Sequence, residues 1–383
     1  MDIPREFDDI RPYMPEELPH VFEELLADPM FCGILQSFYK DIPLEMLRAK
    51  LLACRDNLEV QKVFFLPLIH RLWQNCTKGC TFDHTAVTDK KQPYTYISNH
   101  RDIVLDAAFL SALLVEAGFP STVEIAIGDN LLIYPWIKKL VRVNKTFIVQ
   151  RSVTARELLA SSRRMSEYMH FAVAHKSESL WIAQREGRAK DSNDRTQESV
   201  LKMMALGGGG NAVENIRSLH IVPLTISYEF DPCDFLKARE FQMKRDEPAY
   251  KKTQAEDLLN MKTGIFGYKG HVHYALAQPV NTWIDEIAGL PKAQFFAELA
   301  RRIDLAIHHN YQIYPSNYIA ADMLEEGQRY AAHYTPEERE AFLQYLSERT
   351  AMVELPSPDG KFLRERLLTM YANPLYNHEA AVR

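Results

Sequence analysis

The chain has 383 residues, of which 46% are hydrophobic and 25% are charged, and its formal net charge is −6. A chain of this length can bury a large core and suggests two or three domains, or one domain with helical additions. Its acidic balance argues against a general nucleic-acid binder, which would usually be basic, so we expect no nucleic-acid partner.

Cysteine usage and the start of the chain indicate the compartment. The five cysteines are an odd number, and Cys76 and Cys80 do not have the spacing of a Cys-x-x-Cys pair. We therefore expect reduced cysteines and a cytoplasmic protein. The first residues lack the basic and apolar regions of a signal peptide. The sequence also contains no apolar run of about 18 residues, the length that a membrane span needs.

Hydrophobic patterning changes twice along the chain. Residues 15–75 show no strand alternation and are predicted to be helical. From about 80 to 285, short β-branched and aromatic runs alternate with helical ones, which is typical of an α/β layer. After 285 the pattern is helical again. The predicted regions are a helical N-terminal region (1–80), a central domain (81–285) and a helical C-terminal region (286–383).

The elements of the central domain can be placed from their periodicity and from turn residues. The predicted strands are 94–98, 122–127, 145–150, 179–184, 219–228 and 271–277. The predicted helices are 102–117, 130–142, 154–174, 196–206 and 211–217. The glycine run 207–210 follows a helix rather than a strand, so it predicts a flexible connection and not a phosphate-binding loop.

The first segment with chemical potential follows the strand predicted at 94–98. That strand ends at His100, and an almost entirely apolar helix then carries the carboxylate of Asp106. A buried carboxylate is costly unless it has a partner, and a histidine oriented by a carboxylate is a common general base. Asp102 is the weaker alternative partner of His100, because it has the position of a helix cap.

The second segment is basic. Between 130 and 156 the chain has six Lys or Arg residues and no Asp or Glu. In an acidic protein this excess indicates an anion site, and Arg151, at the end of an apolar strand, could hold a phosphate. A solvated helix face is the alternative explanation for Lys138 and Lys139.

The third segment is a charged loop after the strand predicted at 179–184. It contains Glu186, Gly187, Arg188 and Lys190. A glycine lets the backbone approach a ligand closely, and the two cations could contact an anionic group. A surface loop whose charges pair with one another is the alternative.

Taken together, these segments resemble the glycerolipid acyltransferases, which acylate glycerol-3-phosphate and 1-acylglycerol-3-phosphate. The four family motifs correspond to His100 with Asp106, Phe147-Ile-Val-Gln-Arg151, Glu186-Gly187-Arg188 and Ile221-Val222-Pro223. The resemblance covers about residues 80–285. The His-to-Asp spacing is one residue longer than in the family, and the third motif lacks the residue between glycine and arginine.

The resemblance implies a fold, a reaction and a site. The fold would be α/β, with a central mixed β-sheet flanked by helices and helical additions at both ends. The reaction would transfer a fatty acyl group from an acyl thioester to a hydroxyl of a glycerol phosphate-type acceptor, in phospholipid biosynthesis. His100 would take the proton of that hydroxyl, and Asp106 would hold the other ring nitrogen. The expected substrate-binding residues are Arg101, Lys145, Arg151, Glu186, Gly187, Arg188 and Lys190.

The same resemblance implies the partners. We expect no metal and no cofactor, and no Ser or Cys nucleophile is needed, because a thioester is already activated. Acyl-CoA or acyl carrier protein would be the donor, and glycerol phosphate or a lysophospholipid the acceptor. We also expect peripheral contact with the inner face of a membrane, through the apolar stretches at 63–73 or 130–145. Core packing is the alternative for both stretches.

Three other functions stay open at this point. The acceptor could be another lipid precursor that bears an amine or a hydroxyl. The chain could instead be an esterase or thioesterase, although the sequence contains no Gly-x-Ser-x-Gly elbow. It could also be a non-catalytic module that binds lipids.

Overall fold

The computed structural model describes residues 3–150 and 155–383. The strands in this part of the chain are β1 (Gly79–Asp83), β2 (Thr95–Ser98), β3 (Val123–Gly128), β4 (Thr146–Val149), β5 (Ser179–Ala183), β6 (Ile221–Tyr228) and β7 (His271–Leu276). The α-helices are α1 (Leu18–Leu26), α2 (Pro29–Phe38), α3 (Leu44–Leu52), α4 (Asn57–Val60), α5 (Leu66–Cys76), α6 (Leu105–Glu116), α7 (Pro135–Val143), α8 (Ala155–Ala174), α9 (Glu198–Met204), α10 (Ala212–Ser218), α11 (Asp234–Asp246), α12 (Gln254–Phe266), α13 (Lys292–His309), α14 (Pro315–Leu324), α15 (Pro336–Ala351) and α16 (Gly360–Val382).

The strands form one mixed sheet, in the order β1-β7-β6-β2-β5-β3-β4. From β6 to β4 all neighbours are parallel, whereas β7 is antiparallel to β6 and parallel to β1. Helices cover both faces of the sheet, which parallel strands require because both of their faces must be buried. The predicted fold, an α/β protein with a central mixed sheet flanked by helices, is confirmed.

The two faces of the sheet bury separate apolar layers. Neighbouring side chains of β2 show this, since Tyr96 and Ile97 are both fully buried but belong to different layers. Tyr96 packs in the layer that α5 and α6 cover, and Ile97 packs in the layer that α8, α9, α10 and α13 cover. The sheet is therefore held from both sides, and its strand ends are fixed in position.

All six predicted strands are present, and each predicted helix of the central domain overlaps an observed one. The strand β1 was missed, because its residues alternate between exposed and half-buried and contain no apolar run. Two helices between β6 and β7, α11 and α12, were missed as well. The division of the chain into three regions stays a prediction.

The glycine run connects α9 to α10 but packs tightly, which corrects the expectation of a flexible connection. The N–H of Gly207 donates to Ser166 Oγ at 2.8 Å. Gly208 has a φ of +89°, and a Cβ there would lie 2.7 Å from the ring of His170. Only glycine combines this backbone conformation with such a close approach.

The ends of the chain form two further apolar clusters. One involves α1, α3 and the segment that joins α4 to α5, and the other involves α14, α15 and α16. Asp234, at the start of α11, anchors the C-terminal helices because its buried carboxylate accepts hydrogen bonds from Arg349, Tyr345 and Tyr371. Within the described residues, no helix has both the length and the apolar character needed to cross a membrane.

Candidate active site

Two of the three predicted segments start at the same edge of the sheet. Ser98 and Ala183, which end β2 and β5, are paired, and the N–H of Gln184 donates to the carbonyl of Ser98 at 2.7 Å. His100 follows the end of β2, and the loop with Arg188 follows the end of β5. In α/β proteins, ligands bind in crevices at the carboxyl ends of the strands, so this edge is the candidate site.

His100 and Asp106 form a hydrogen-bonded pair at this edge. Nδ1 of His100 lies 2.8 Å from Oδ2 of Asp106. The Asp106 side chain is fully buried, whereas that of His100 is 13% exposed, and its ring packs edge-on against Trp181. Because the carboxylate holds Nδ1 as the protonated nitrogen, Nε2 is the position that can accept a proton.

Asp106 is the centre of a larger set of hydrogen bonds. Its Oδ2 also accepts from the backbone N–H groups of Arg101 (2.6 Å) and Asp102 (3.1 Å), and Oδ1 accepts from the Tyr228 hydroxyl (3.1 Å). Burial raises the pKa of Tyr228 well above its usual value, so the phenol remains a donor. These contacts fix the carboxylate and satisfy its buried charge.

Asp102 has a different role from Asp106. Its Oδ1 accepts from the N–H groups of Val104 (2.8 Å) and Leu105 (2.7 Å), so it caps α6. The helix therefore begins at Leu105 instead of at the predicted residue 102. The longer loop between His100 and the helix accommodates the one extra residue in the His-to-Asp spacing. Of the two carboxylates, Asp106 is the one that contacts His100, and burial raises the pKa of Asp102.

Arg101 points into the protein, in contrast to the substrate-binding role that the resemblance implies for it. Its guanidinium is buried, and Nη2 lies 2.6 Å from Oδ2 of the fully buried Asp194. The same nitrogen is 3.4 Å from the Tyr311 hydroxyl. Its positive charge therefore pairs with a buried carboxylate, and this ion pair joins the loop that carries His100 to the segment before α9.

Lys145 lies at the opposite edge of the sheet from His100, so the structure does not bring it together with the residue beside which the resemblance implies that it binds substrate. It precedes β4, whereas His100 follows β2, and β2 and β4 run in the same direction. Its ammonium is buried and is 2.6 Å from Glu178 and 2.9 Å from Ser121. This salt bridge stabilises the sheet edge remote from His100.

The loop after β5 places its residues in different surroundings. Gly187 has a φ of +67°, which favours glycine. Arg188 Nη2 donates to Oδ1 of Asn260, on α12, at 3.0 Å. Lys190 forms a salt bridge with Glu240, on α11, so its charge is compensated. The side chain of Glu186 is exposed, and its N–H donates to Gln197 at 2.7 Å.

The basic segment is described only in part. β4 brings Val149 to the same edge as His100, because β4 is parallel to β3 and β3 to β5. Arg151, the expected phosphate-binding residue of the second motif, lies outside the described residues. Its role stays a prediction.

Tyr228, Asp194 and Asn260 belong to the site or support it, and sequence reasoning missed all three. Each lies far along the chain from the residue it contacts, so no local pattern connects them. Tyr228 directly ends a predicted strand, and this position at the carboxyl edge is the one sequence signal that could have suggested it.

Comparisons with known proteins agree with the central motifs. Residues 80–227 match the family model described as Acyltransferase. A similar solved structure is that of the 1-acyl-sn-glycerophosphate (LPA) acyltransferase PlsC from Thermotoga maritima, with 14% identity and a TM-score of 0.36, covering 76% of this chain and 95% of that chain. A comparison with curated proteins gives no match.

Arg101 can be tested as a structural residue. We expect Arg101→Leu to lower the free energy of unfolding by about 3 kcal/mol, because it leaves the carboxylate of Asp194 buried without a counter-charge. Urea denaturation would measure the change. The control is Arg55→Leu, which removes an exposed ion pair with Glu59 and should leave the midpoint unchanged. Equal midpoints for the two variants would contradict the structural role.

Proposed function

We propose that this chain, whose residues 80–227 match the Acyltransferase family model, transfers a fatty acyl group from an acyl thioester to a hydroxyl of a glycerol phosphate-type acceptor. The observation that carries the proposal is the pair of His100 Nδ1 and Asp106 Oδ2, 2.8 Å apart, at the carboxyl edge of the sheet. The loop with Arg188 begins at the same edge and supplies a cation. A base and a cation at one edge of the sheet suit an acceptor that has both a hydroxyl and a phosphate.

The proposed reaction is direct acyl transfer. Nε2 of His100 takes the proton from the acceptor hydroxyl while its oxygen attacks the thioester carbonyl carbon. When the C–S bond breaks, the leaving thiolate takes that proton from the imidazolium, so the imidazole is neutral again. Asp106 keeps Nδ1 protonated and stabilises the imidazolium while it exists. An activated thioester needs no covalent enzyme intermediate.

Arg188 is the proposed phosphate-binding residue for which the described contacts give the strongest support. Its guanidinium has five N–H donors, and Asn260 accepts from one of them. Within the part of the chain that the structure describes, its buried Nη1 has no hydrogen-bond partner. A buried donor of this kind favours a ligand with acceptor oxygens, and holding the phosphate would place the hydroxyl against His100.

We also propose that this edge of the sheet contacts a membrane. Of the two stretches expected to do so, 63–73 contributes Ile69 and Leu72 to the core. In the other stretch, 130–145, Tyr134 is 39% exposed. Outside both stretches, in the first turns of α8, Leu158 and Leu159 are 53% and 62% exposed. These apolar side chains follow β3 and β4 at the edge that holds His100, so docking there would present the site to lipids.

The base is tested with one labelled acyl thioester and a panel of acceptors. The panel is glycerol-3-phosphate, lysophosphatidate and a hydroxyl lipid without phosphate. We expect His100→Ala to lower kcat by about 10²- to 10⁴-fold, because it removes the general base. Asp106→Asn should also lower kcat, because it disturbs the ring tautomer. The exposed His309 provides the control variant, His309→Ala, which should retain full activity. Equal product from wild type and His100→Ala would overturn the proposal.

Arg188→Leu tests the phosphate contact. Charge-assisted hydrogen bonds contribute more than neutral ones, so we expect the KM for a phosphate-bearing acceptor to rise about 10-fold, with kcat little changed. The KM for the acceptor without phosphate should stay the same. Arg195→Leu changes an exposed arginine of the same loop and is the matched control. An equal rise in KM for acceptors with and without a phosphate would argue against a phosphate contact.

Membrane contact is tested by sedimentation with anionic phospholipid vesicles at low salt. We expect the double variant Leu158→Asp, Leu159→Asp to bind several-fold less than wild type, because charged side chains oppose insertion among lipids. Met352→Asp changes a residue of similar exposure after α15 and should bind normally. Wild-type protein that stays in the supernatant would exclude this surface as a docking site.

A further inference from the structure

The helix α12, between β6 and β7, contacts both halves of the candidate site. It lies beyond residues 80–227, the part that matches the family model. Asn260 and Gly264 are four residues apart and so share one face of this helix. Asn260 contacts Arg188, and Gly264 contacts Asp102. One helical turn therefore joins the anion-binding loop to the loop that carries His100.

The contact with Arg188 has a defined direction. Asn260 Nδ2 donates to the backbone carbonyl of Glu256 at 2.8 Å, and this contact orients the amide group. Its Oδ1 then faces Arg188 and accepts from Nη2 at 3.0 Å. Asn260 is itself buried, so its amide is held in place. The result is an arginine whose plane is set by a neutral partner.

The contact with Asp102 depends on the absence of a side chain. A Cβ at Gly264 would lie 2.0 Å from Oδ2 of Asp102, far closer than atoms can approach. Asp102 caps α6, and the first turn of that helix carries Asp106. The backbone of α12 therefore rests on the cap of the helix that orients His100.

α12 is also anchored from several other elements. The thiol of Cys233 donates to the carbonyl of Asn260, and the thiol of Cys76 donates to that of Phe266. The fully buried Lys269 donates to the carbonyl of Gly267 at 2.7 Å, just after the helix ends. These contacts fix both the position and the rotation of α12.

We infer that α12 is a positioning element of the active site. Asn260 is a positioning residue that aims Arg188 at the acceptor phosphate, and Gly264 allows the close packing that sets the loop of His100. This inference rests on the proposed function, because it assigns a purpose to the orientation of Arg188. It predicts that the two ends of one helical turn control different kinetic constants.

Two substitutions separate the two ends. We expect Asn260→Leu to raise the KM for glycerol-3-phosphate or lysophosphatidate about 10-fold, with kcat within about two-fold, and to leave the KM for an acceptor without phosphate unchanged. Gly264→Ala should lower kcat at least about 10-fold for every acceptor, because the new methyl group displaces Asp102. Leu259→Ala, on the exposed side of the same helix, is the control and should match wild type.

The kinetic split distinguishes positioning from general support. A helix that only stabilises the fold would lower the melting temperature in both variants and change kcat and KM together. Circular dichroism would confirm that each variant is folded. An unchanged acceptor KM for Asn260→Leu, or unchanged kcat for Gly264→Ala, would overturn the inference.

A binding measurement keeps this inference separate from the proposed function. Glycerol-3-phosphate is titrated calorimetrically into wild type, Asn260→Leu and Arg188→Leu. Binding by wild type that is weakened in both variants supports the role of α12, even where no acyl transfer is seen. Binding weakened only in Arg188→Leu contradicts the role of Asn260 alone. If the wild-type protein neither binds nor acylates any acceptor with a phosphate, both the proposed function and the role of α12 are overturned.

Discussion

The hydrogen bonds to Asp106 are the constraint on which the site depends. A fully buried carboxylate is tolerated only when its lone pairs are occupied, and here the ring of His100, two backbone N–H groups and the Tyr228 hydroxyl occupy them. The same contacts bend the chain between β2 and α6 and select the ring nitrogen that is protonated. The tautomer of His100 and the path of its loop therefore have one cause.

The sheet supplies the second condition, which is a fixed edge. Asn99, just before His100, accepts from the N–H of Ile226 at 2.8 Å and donates to its carbonyl at 2.9 Å. Its side chain thus continues the pairing of β2 with β6 past the end of β2, and β6 ends in Tyr228, the donor to Asp106. Parallel strand order brings together residues that are distant in sequence. It also separates His100 from Lys145, which precedes a strand instead of following one.

The sequence revealed the parts of this arrangement that depend on local pattern. Strands such as β2 and β6, which are buried along almost their whole length and rich in β-branched and aromatic residues, could be predicted, whereas β1 is a half-exposed edge strand and could not. The choice between Asp102 and Asp106 needed the geometry of the loop, because both residues lie near the start of the same helix. The ion pair of Arg101 could not be predicted, because its partner, Asp194, is 93 residues away in sequence.

A cation can hold a ligand phosphate only if the protein has not already neutralised it. Arg101, Lys145 and Lys190 each form a salt bridge with a carboxylate, which consumes donors and cancels charge. Arg188 instead hydrogen-bonds to an amide oxygen. The carboxylate of Asp231, whose pKa is lowered, against the effect of burial, by Lys237 and by the charge of Arg188, forms its salt bridge with Lys237. An amide orients a guanidinium without neutralising it. The neutral character of Asn260 therefore matters as much as its position, and a carboxylate there would hold Arg188 in place while competing with the phosphate.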